Sequence, residues 1–272
     1  MLVSRLAARL RLKETGSGMS GTTHPYPPNP VVLITGGAGG IGQAVAKRFG
    51  RSGARCVIAD LNSEAARKTA AELSALGYRA ISVGADVSKV DEVEALVRTT
   101  LEEFGSIDVL VNNAGVMGRV APLTDLTDAD WDSVIAVDLT SVFLMSRAVL
   151  RHMLSRKRGC IVNVSSIAGK EGTPRLVPYS VAKAGIIALT KALGKEVVGE
   201  GIRVNCVAPG VVGTPLLDQL PAESTQVMLS KSPMGRFGTA DEVAAVVQFL
   251  ASDDASFITA QCFDASGGRA TY

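Results

Sequence analysis

From Val31 to Ala265 the chain alternates short apolar runs with longer amphipathic stretches, and this alternation restricts its fold more than any other feature. Val31–Thr35 predicts a strand, followed by a glycine-rich turn and a helix over about Ile41–Ser52. Arg55–Ala59 reads as a second strand and Ser63–Leu76 as a helix rich in Ala, Glu, Lys and Arg. The series continues through Arg79–Gly84, Lys89–Phe104, Ile107–Val111, Ala129–Leu154, Cys160–Val164, Tyr179–Val198 and Arg203–Val207. A last helix near Asp241–Ala251 precedes the apolar Ala260–Ala265. Strands separated by helix-length segments call for right-handed crossovers, hence a parallel sheet with helices on both faces. The expected fold is therefore α/β, a single doubly wound, Rossmann-like domain over residues 31–272. A small insertion is expected at about 214–236, where the alternation lapses, and residues 1–30 read as a flexible extension.

Composition narrows the function classes. Hydrophobic residues make up 47% of the 272 but aromatics only 4%, so the core must be built from Ala, Val, Ile and Leu. The formal charge of +2, with both signs interspersed, gives no reason to expect a nucleic-acid partner. Cys56, Cys160, Cys206 and Cys262 are widely spaced without a CxxC pair, and read as buried small hydrophobes of a reducing compartment. With only His24 and His152 the chain lacks the ligands of a His-rich zinc site, and no metal is expected. No apolar run reads as a membrane span, so no membrane partner is expected. Met1–Lys13 carries Arg5, Arg9, Arg11 and Lys13 among leucines, with no acid before Glu14. It reads as an extension, with Met19 as another start, and a mitochondrial presequence is the alternative. The expected location is accordingly cytoplasmic, or the mitochondrial matrix if residues 1–18 are a presequence.

The turn after the first strand is Thr35-Gly-Gly-Ala-Gly-Gly-Ile-Gly42, which matches both G-x-G-x-x-G and T-G-x-x-x-G-x-G. Glycines there let backbone N–H groups approach a pyrophosphate at the N-terminus of the next helix. Gly36, Gly40, Ile41 and Gly42 are the candidate contacts. Asp60 ends the second strand, 18 residues beyond Gly42, where a carboxylate can accept from ribose hydroxyls and repel a 2′-phosphate. No Lys or Arg lies in the turn or in Leu61-Asn-Ser63, so NAD is favoured over NADP, with Leu61 beside the adenosine.

Tyr179 and Lys183 lie four residues apart, on one face of the predicted helix. A phenol beside an ammonium loses its proton more readily, which suits a general acid/base acting on an alcohol oxygen. Three polar strings close other strands: Asn112-Asn-Ala-Gly115, Asn163-Val-Ser-Ser166 and Pro209-Gly-Val-Val-Gly-Thr214. In an open α/β sheet these ends are where ligands bind.

Together these residues resemble the short-chain dehydrogenase/reductase family in its roughly 250-residue form, from about Val31 to Gly268. The strings Pro233-Met-Gly-Arg-Phe-Gly238, Asp241-Glu-Val-Ala244 and Ser266-Gly-Gly268 fit the same pattern. The resemblance implies that Tyr179 exchanges a proton with the substrate oxygen and that Lys183 holds the nicotinamide ribose and eases that exchange. Ser166, 13 residues before the tyrosine, is implied to hydrogen-bond the carbonyl oxygen, with its neighbour Ser165 pointing elsewhere. Asp86 and Val87 match an adenine-contacting pair, and Asn113, Ala114 and Gly115 the segment along the cofactor. Pro209 and Gly210 lead into Val212 and Thr214, which match positions holding the nicotinamide carboxamide. Many members carry an asparagine in the central helix that supports a water-linked proton path to the lysine. Here Asp138 stands there, an acceptor for water that lacks the amide donor.

The implied activity is hydride transfer between nicotinamide and a secondary alcohol or ketone. A carrier-protein-linked 3-oxoacyl reductase is the alternative, and a non-catalytic dinucleotide-binding protein a third reading. A homo-oligomer, tetramer or dimer, is the family tendency. Substrate identity stays open among polyols, hydroxysteroids and simple ketones.

Overall fold

A computed structural model of the chain describes residues 29–213, 227 and 229–272. Seven strands form one parallel sheet in the order β3-β2-β1-β4-β5-β6-β7. They are β1 (Val31–Thr35), β2 (Arg55–Asp60), β3 (Arg79–Gly84), β4 (Val109–Asn112), β5 (Gly159–Val164), β6 (Ile202–Pro209) and β7 (Cys262–Ala265). Between them run α1 (Gly40–Arg51), α2 (Ser63–Ala75), α3 (Val90–Phe104), α4 (Asp128–Ile135), α5 (Ser141–Arg156), α6 (Ile167–Glu171), α7 (Val177–Val197) and α8 (Ala240–Ala251).

The central strands are apolar at successive positions because both faces of the sheet are covered. Val32 and Ile34 pack with Val45 and Phe49 of α1, Leu73 of α2 and Val247 of α8. The alternate residues Val31 and Leu33 pack with Leu96 of α3, Met145 of α5 and Val197 of α7. Three of the four cysteines are buried and Cys262 is half-buried. Burial pushes the Cys56 thiol up to about 12 and the Cys160 thiol up to about 11, so both stay protonated.

Three departures from the sequence reading matter. The single helix expected over Ala129–Leu154 is α4 and α5 joined by a π-helical turn, Ala136–Thr140, that carries Asp138 inward. The run Asp128–Arg156 also contains a window of mean hydropathy 1.7, long and apolar enough to cross a membrane, contrary to the sequence reading. Of that window 44% is buried within the domain, where α5 packs on the sheet and α3. Finally, the short α6 was not anticipated. Ser166 caps it by accepting from Ala168 N–H at 3.1 Å. The expected presequence or extension lies outside the described residues, as does most of the expected insertion.

Candidate active site

The chain leaves β1 outward to β2 and β3, then crosses back to β4 on the other side of β1. This reversal opens a crevice at the carboxyl ends of β1 and β4. Side-chain bonds hold its walls together. Buried Thr35 accepts at Oγ1 from the N–H groups of Asn113 (3.0 Å) and Ala114 (3.1 Å). Asn113 in return donates its amide to the carbonyls of Thr35 and Gly36, at 3.1 and 2.9 Å. The glycine turn is thus tied to β4. It is also tied to β2, because Asp60 accepts from Ala38 N–H at 3.1 Å and from Asn62 N–H at 3.0 Å. At Gly42 a Cβ would fall 2.2 Å from the Gly36 carbonyl oxygen, so the tight turn onto α1 requires a residue without one.

Deeper in the crevice a cavity of about 650 Å³ is lined by Ser166, Tyr179, Lys183 and Asp138, with Ile41, Asn113, Gly115, Pro209, Gly210 and Val212. The Lys183 ammonium, on a side chain only 5% exposed, lies 3.0 Å from Asp138 Oδ2 and donates to the Val164 carbonyl at 3.3 Å. It also sits 5.5 Å from the centre of the Tyr179 ring. Asp138 Oδ1 accepts from Val116 N–H at 2.7 Å. Its Oδ2 meets the ammonium as a charge contact, without a well-aligned hydrogen bond among the described residues.

Burial holds the Asp138 carboxyl above its ordinary range, against the pull of Lys183 and the Val116 N–H. Desolvation alone would lower Lys183, but the charge of Asp138, with Tyr179 and the Asp138 hydrogen bond, outweighs it and holds the lysine above its ordinary value. We read the 3.0 Å contact as an ion pair, in which each charge offsets the burial of the other.

The alternation expected at the end of β5 is realised. Both serines touch the cavity, but buried Ser165 donates its hydroxyl to the Lys183 carbonyl at 2.8 Å, whereas Ser166 Oγ accepts from Ala168 N–H. Behind these residues, Asn112 donates to Asn163 Oδ1 at 2.8 Å and Asn163 to Thr190 at 2.9 Å, a buried polar chain from β4 through β5 to α7.

Other predicted residues stand apart. Gly36, Gly40, Gly42, Asp60, Leu61 and Ala114 lie along the turn side of the crevice rather than on the cavity, and Leu61 is largely exposed. Asp86 binds the hydroxyl and N–H of Ser88, and that hydroxyl bond holds its carboxyl below the usual range. The Val87 side chain is buried in the core against β1 and β2, which leaves its backbone for any ligand. Thr214 lies outside the described residues. Asp138, expected at the position of a water-linked proton path, pairs with Lys183 directly at 3.0 Å. Met117, Arg175, Leu176, Lys231 and Arg269 are also on the cavity wall, residues that sequence reasoning reached only as segments and did not name. They sit in irregular segments without period or motif.

Gly115 makes the close approach of β4's end to the ion pair workable. A Cβ there would lie 2.8 Å from Asp138 Oδ2 and 3.1 Å from Lys183 Nζ. The open glycine turn at the N-terminus of α1, bare of side chains, and a carboxylate at the end of β2 fit a nicotinamide dinucleotide.

Known proteins point the same way. The family model described as enoyl-(acyl carrier protein) reductase matches residues 36–270. The chain is 45% identical over 244 residues to a (2S)-((R)-hydroxy(phenyl)methyl)succinyl-CoA dehydrogenase subunit of Thauera aromatica, covering 90% of this chain and 98% of the relative. It is 41% identical to a 3-oxoacyl-(acyl-carrier-protein) reductase of Thermotoga maritima, with 88% and 96% covered. A 2-dehydro-3-deoxy-L-rhamnonate dehydrogenase (NAD(+)) of a Sphingomonas species is also 41% identical, with 88% and 95% covered. The crystal structure of gox2181 superposes with a TM-score of 0.86 at 35% identity, covering 89% of this chain and 96% of that one. The chain belongs to the short-chain dehydrogenase/reductase family and is an oxidoreductase of secondary alcohols and ketones that works with a nicotinamide cofactor.

Proposed function

We propose that the chain is an NAD(H)-dependent dehydrogenase/reductase in which Tyr179 is the general acid/base. The observation that supports this most is the gathering of Ser166, Tyr179 and Lys183 on one cavity at the carboxyl end of the sheet. A bound nicotinamide supplies or accepts the hydride. Tyr179 passes the proton to or from the substrate oxygen, and Ser166 donates a hydrogen bond to the charge that develops there. Lys183 keeps a positive charge beside the phenol and holds the ribose. Asp138 fixes the lysine in place and keeps it protonated. Ile41, Asn113, Gly115, Pro209, Gly210 and Val212 line the nicotinamide half of the site, and the family resemblance assigns Thr214 to the carboxamide. Gly36, Gly40, Gly42, Asp60, Leu61, Asp86, Val87 and Ala114 line the adenosine half.

The preference for NAD rests on Asp60, with no Lys or Arg within the glycine turn or in Leu61-Asn-Ser63 to welcome a 2′-phosphate. A relative whose printed name specifies NAD(+) supports it. NADH should bind more tightly than NADPH in a fluorescence titration, and Asp60→Asn should narrow the gap by about tenfold, the scale of one lost charge repulsion. Tighter NADPH binding by the native protein would overturn the preference.

A carrier-protein-linked 3-oxoacyl reductase is the second reading, favoured by the Thermotoga relative. Such reductases usually take NADP, and Asp60 counts against that. We read residues 31–272 as one catalytic domain, with the substrate-loop insertion at about 214–236 and a homo-oligomeric assembly. Buried, protonated thiols suit a reducing, cytoplasmic setting.

A further inference from the structure

Among the described residues, the wall of the catalytic cavity carries more positive charge than its acids neutralise. Asp138 is the single acid on that wall among the described residues, and Lys183 already pairs with it. Arg269 is paired too, its guanidinium 2.8 Å from Glu171. Two cations on the same wall, Arg175 and Lys231, have no acidic partner among the described residues, and both are exposed. They come from different parts of the chain. Arg175 lies in the loop between α6 and α7, four residues before Tyr179, and Lys231 lies within the expected insertion.

Arg175 is not a loosely held surface side chain. Its backbone sits at φ +68°, a left-handed conformation that costs an arginine energy. The fold holds it there. The Arg175 carbonyl accepts from Ala121 N–H at 3.1 Å, Leu176 beside it is buried, and Thr173 N–H donates to Ser180 at 3.0 Å. The loop is anchored on both sides of the arginine, which lines the cavity.

Resting on the proposed alcohol/ketone chemistry, we infer that the substrate carries an anionic group held by Arg175 and Lys231 while its carbinol carbon lies at Ser166 and Tyr179. Guanidinium geometry suits a carboxylate or phosphate oxygen pair, and a charge-assisted contact is stronger than a neutral one. The anion can be the substrate's own carboxylate or a phosphate of a thioester carrier. The shared chemistry is an oxyanion remote from the reacting carbon.

The test measures kcat and KM for matched alcohols on the full chain with NAD. One arm compares 3-hydroxybutanoate, 4-hydroxypentanoate and 4-hydroxycyclohexanecarboxylate each with its carboxamide. The other compares 3-hydroxybutyryl-CoA with the same acyl group on N-acetylcysteamine, which lacks the phosphates. At least one anionic member should exceed its neutral partner by about tenfold or more in kcat/KM, as a charge-assisted contact implies. The first arm assigns the anion to the acid, the second to the carrier. In Arg175→Gln and in Lys231→Gln that ratio should fall about tenfold through KM, and Arg175→Lys should restore part of it. Neutral members matching or exceeding the anions in every pair would overturn this inference and leave the oxidoreductase reading standing. So would a loss in these variants of NADH affinity, measured by fluorescence, with the ratio unchanged. Failure to oxidise any member would overturn both.

Discussion

Tyr179→Phe should lose about 10³-fold in turnover, within the range for removing a positioned acid/base, while still binding NADH. The substitution removes one oxygen and leaves a ring of the same shape on α7, with the Lys183 ammonium still able to sit at 5.5 Å from its centre. Ser166 keeps its place at the N-terminus of α6. Any large loss therefore reports the proton, not the architecture. Turnover with an oxidisable alcohol and NADH affinity by fluorescence check it together. Most of the native turnover surviving would reject Tyr179 as the acid/base.

Asp138→Ala should destabilise the protein by about 3–5 kcal/mol, the usual cost of leaving one partner of a buried ion pair alone. In a chain of this size that is about 10 °C in melting temperature. Lys183 would keep only the Val164 carbonyl, and Val116 N–H would lose its acceptor. Activity should fall with it, because an unpaired buried lysine sheds its proton or shifts away from the tyrosine. Asp138→Asn keeps the shape and an acceptor for Val116, so its melting temperature should drop less, but it too removes the counter-charge of Lys183 and should lower activity.

The pH dependence separates the two contributions of this aspartate. Its folded carboxyl is held above the unfolded value near 3.8 by burial. The folded chain therefore binds that proton more tightly than the unfolded chain does. The associated stability is full below about pH 3.8 and is lost as pH rises through the folded value. Asp138→Asn should lack that descending segment, which urea midpoints across the acid range will show. A turnover far above native in this variant would mean that the aspartate impairs proton supply.

The fold was legible because the physics that sets it is local. Strands such as Val31–Thr35, covered on both faces, must be apolar at nearly every position, and the helices between them must be amphipathic. Tyr179 and Lys183 were legible for a similar reason, since one helical turn fixes their shared face. The choice of Ser166 came from the family resemblance, through its spacing to Tyr179, and strand alternation added only that Ser165 points elsewhere, where its hydroxyl meets the Lys183 carbonyl. The Asp138–Lys183 contact was not readable, because it joins two helices across the cavity and depends on a π-turn that periodicity averages away. Arg175 was hidden differently. Its conformation is imposed by bonds from Ala121 and by the packing of Leu176, partners that no sequence window contains.

Gly115 sets an order on how this site can change. With a methyl group's position already taken by Asp138 Oδ2 and Lys183 Nζ, any larger residue at 115 collides with the ion pair. Redesign of the cavity floor therefore has a permitted first move and a forbidden one. Shortening residue 138 must come before enlarging residue 115, and laboratory evolution that samples single changes will keep rediscovering glycine.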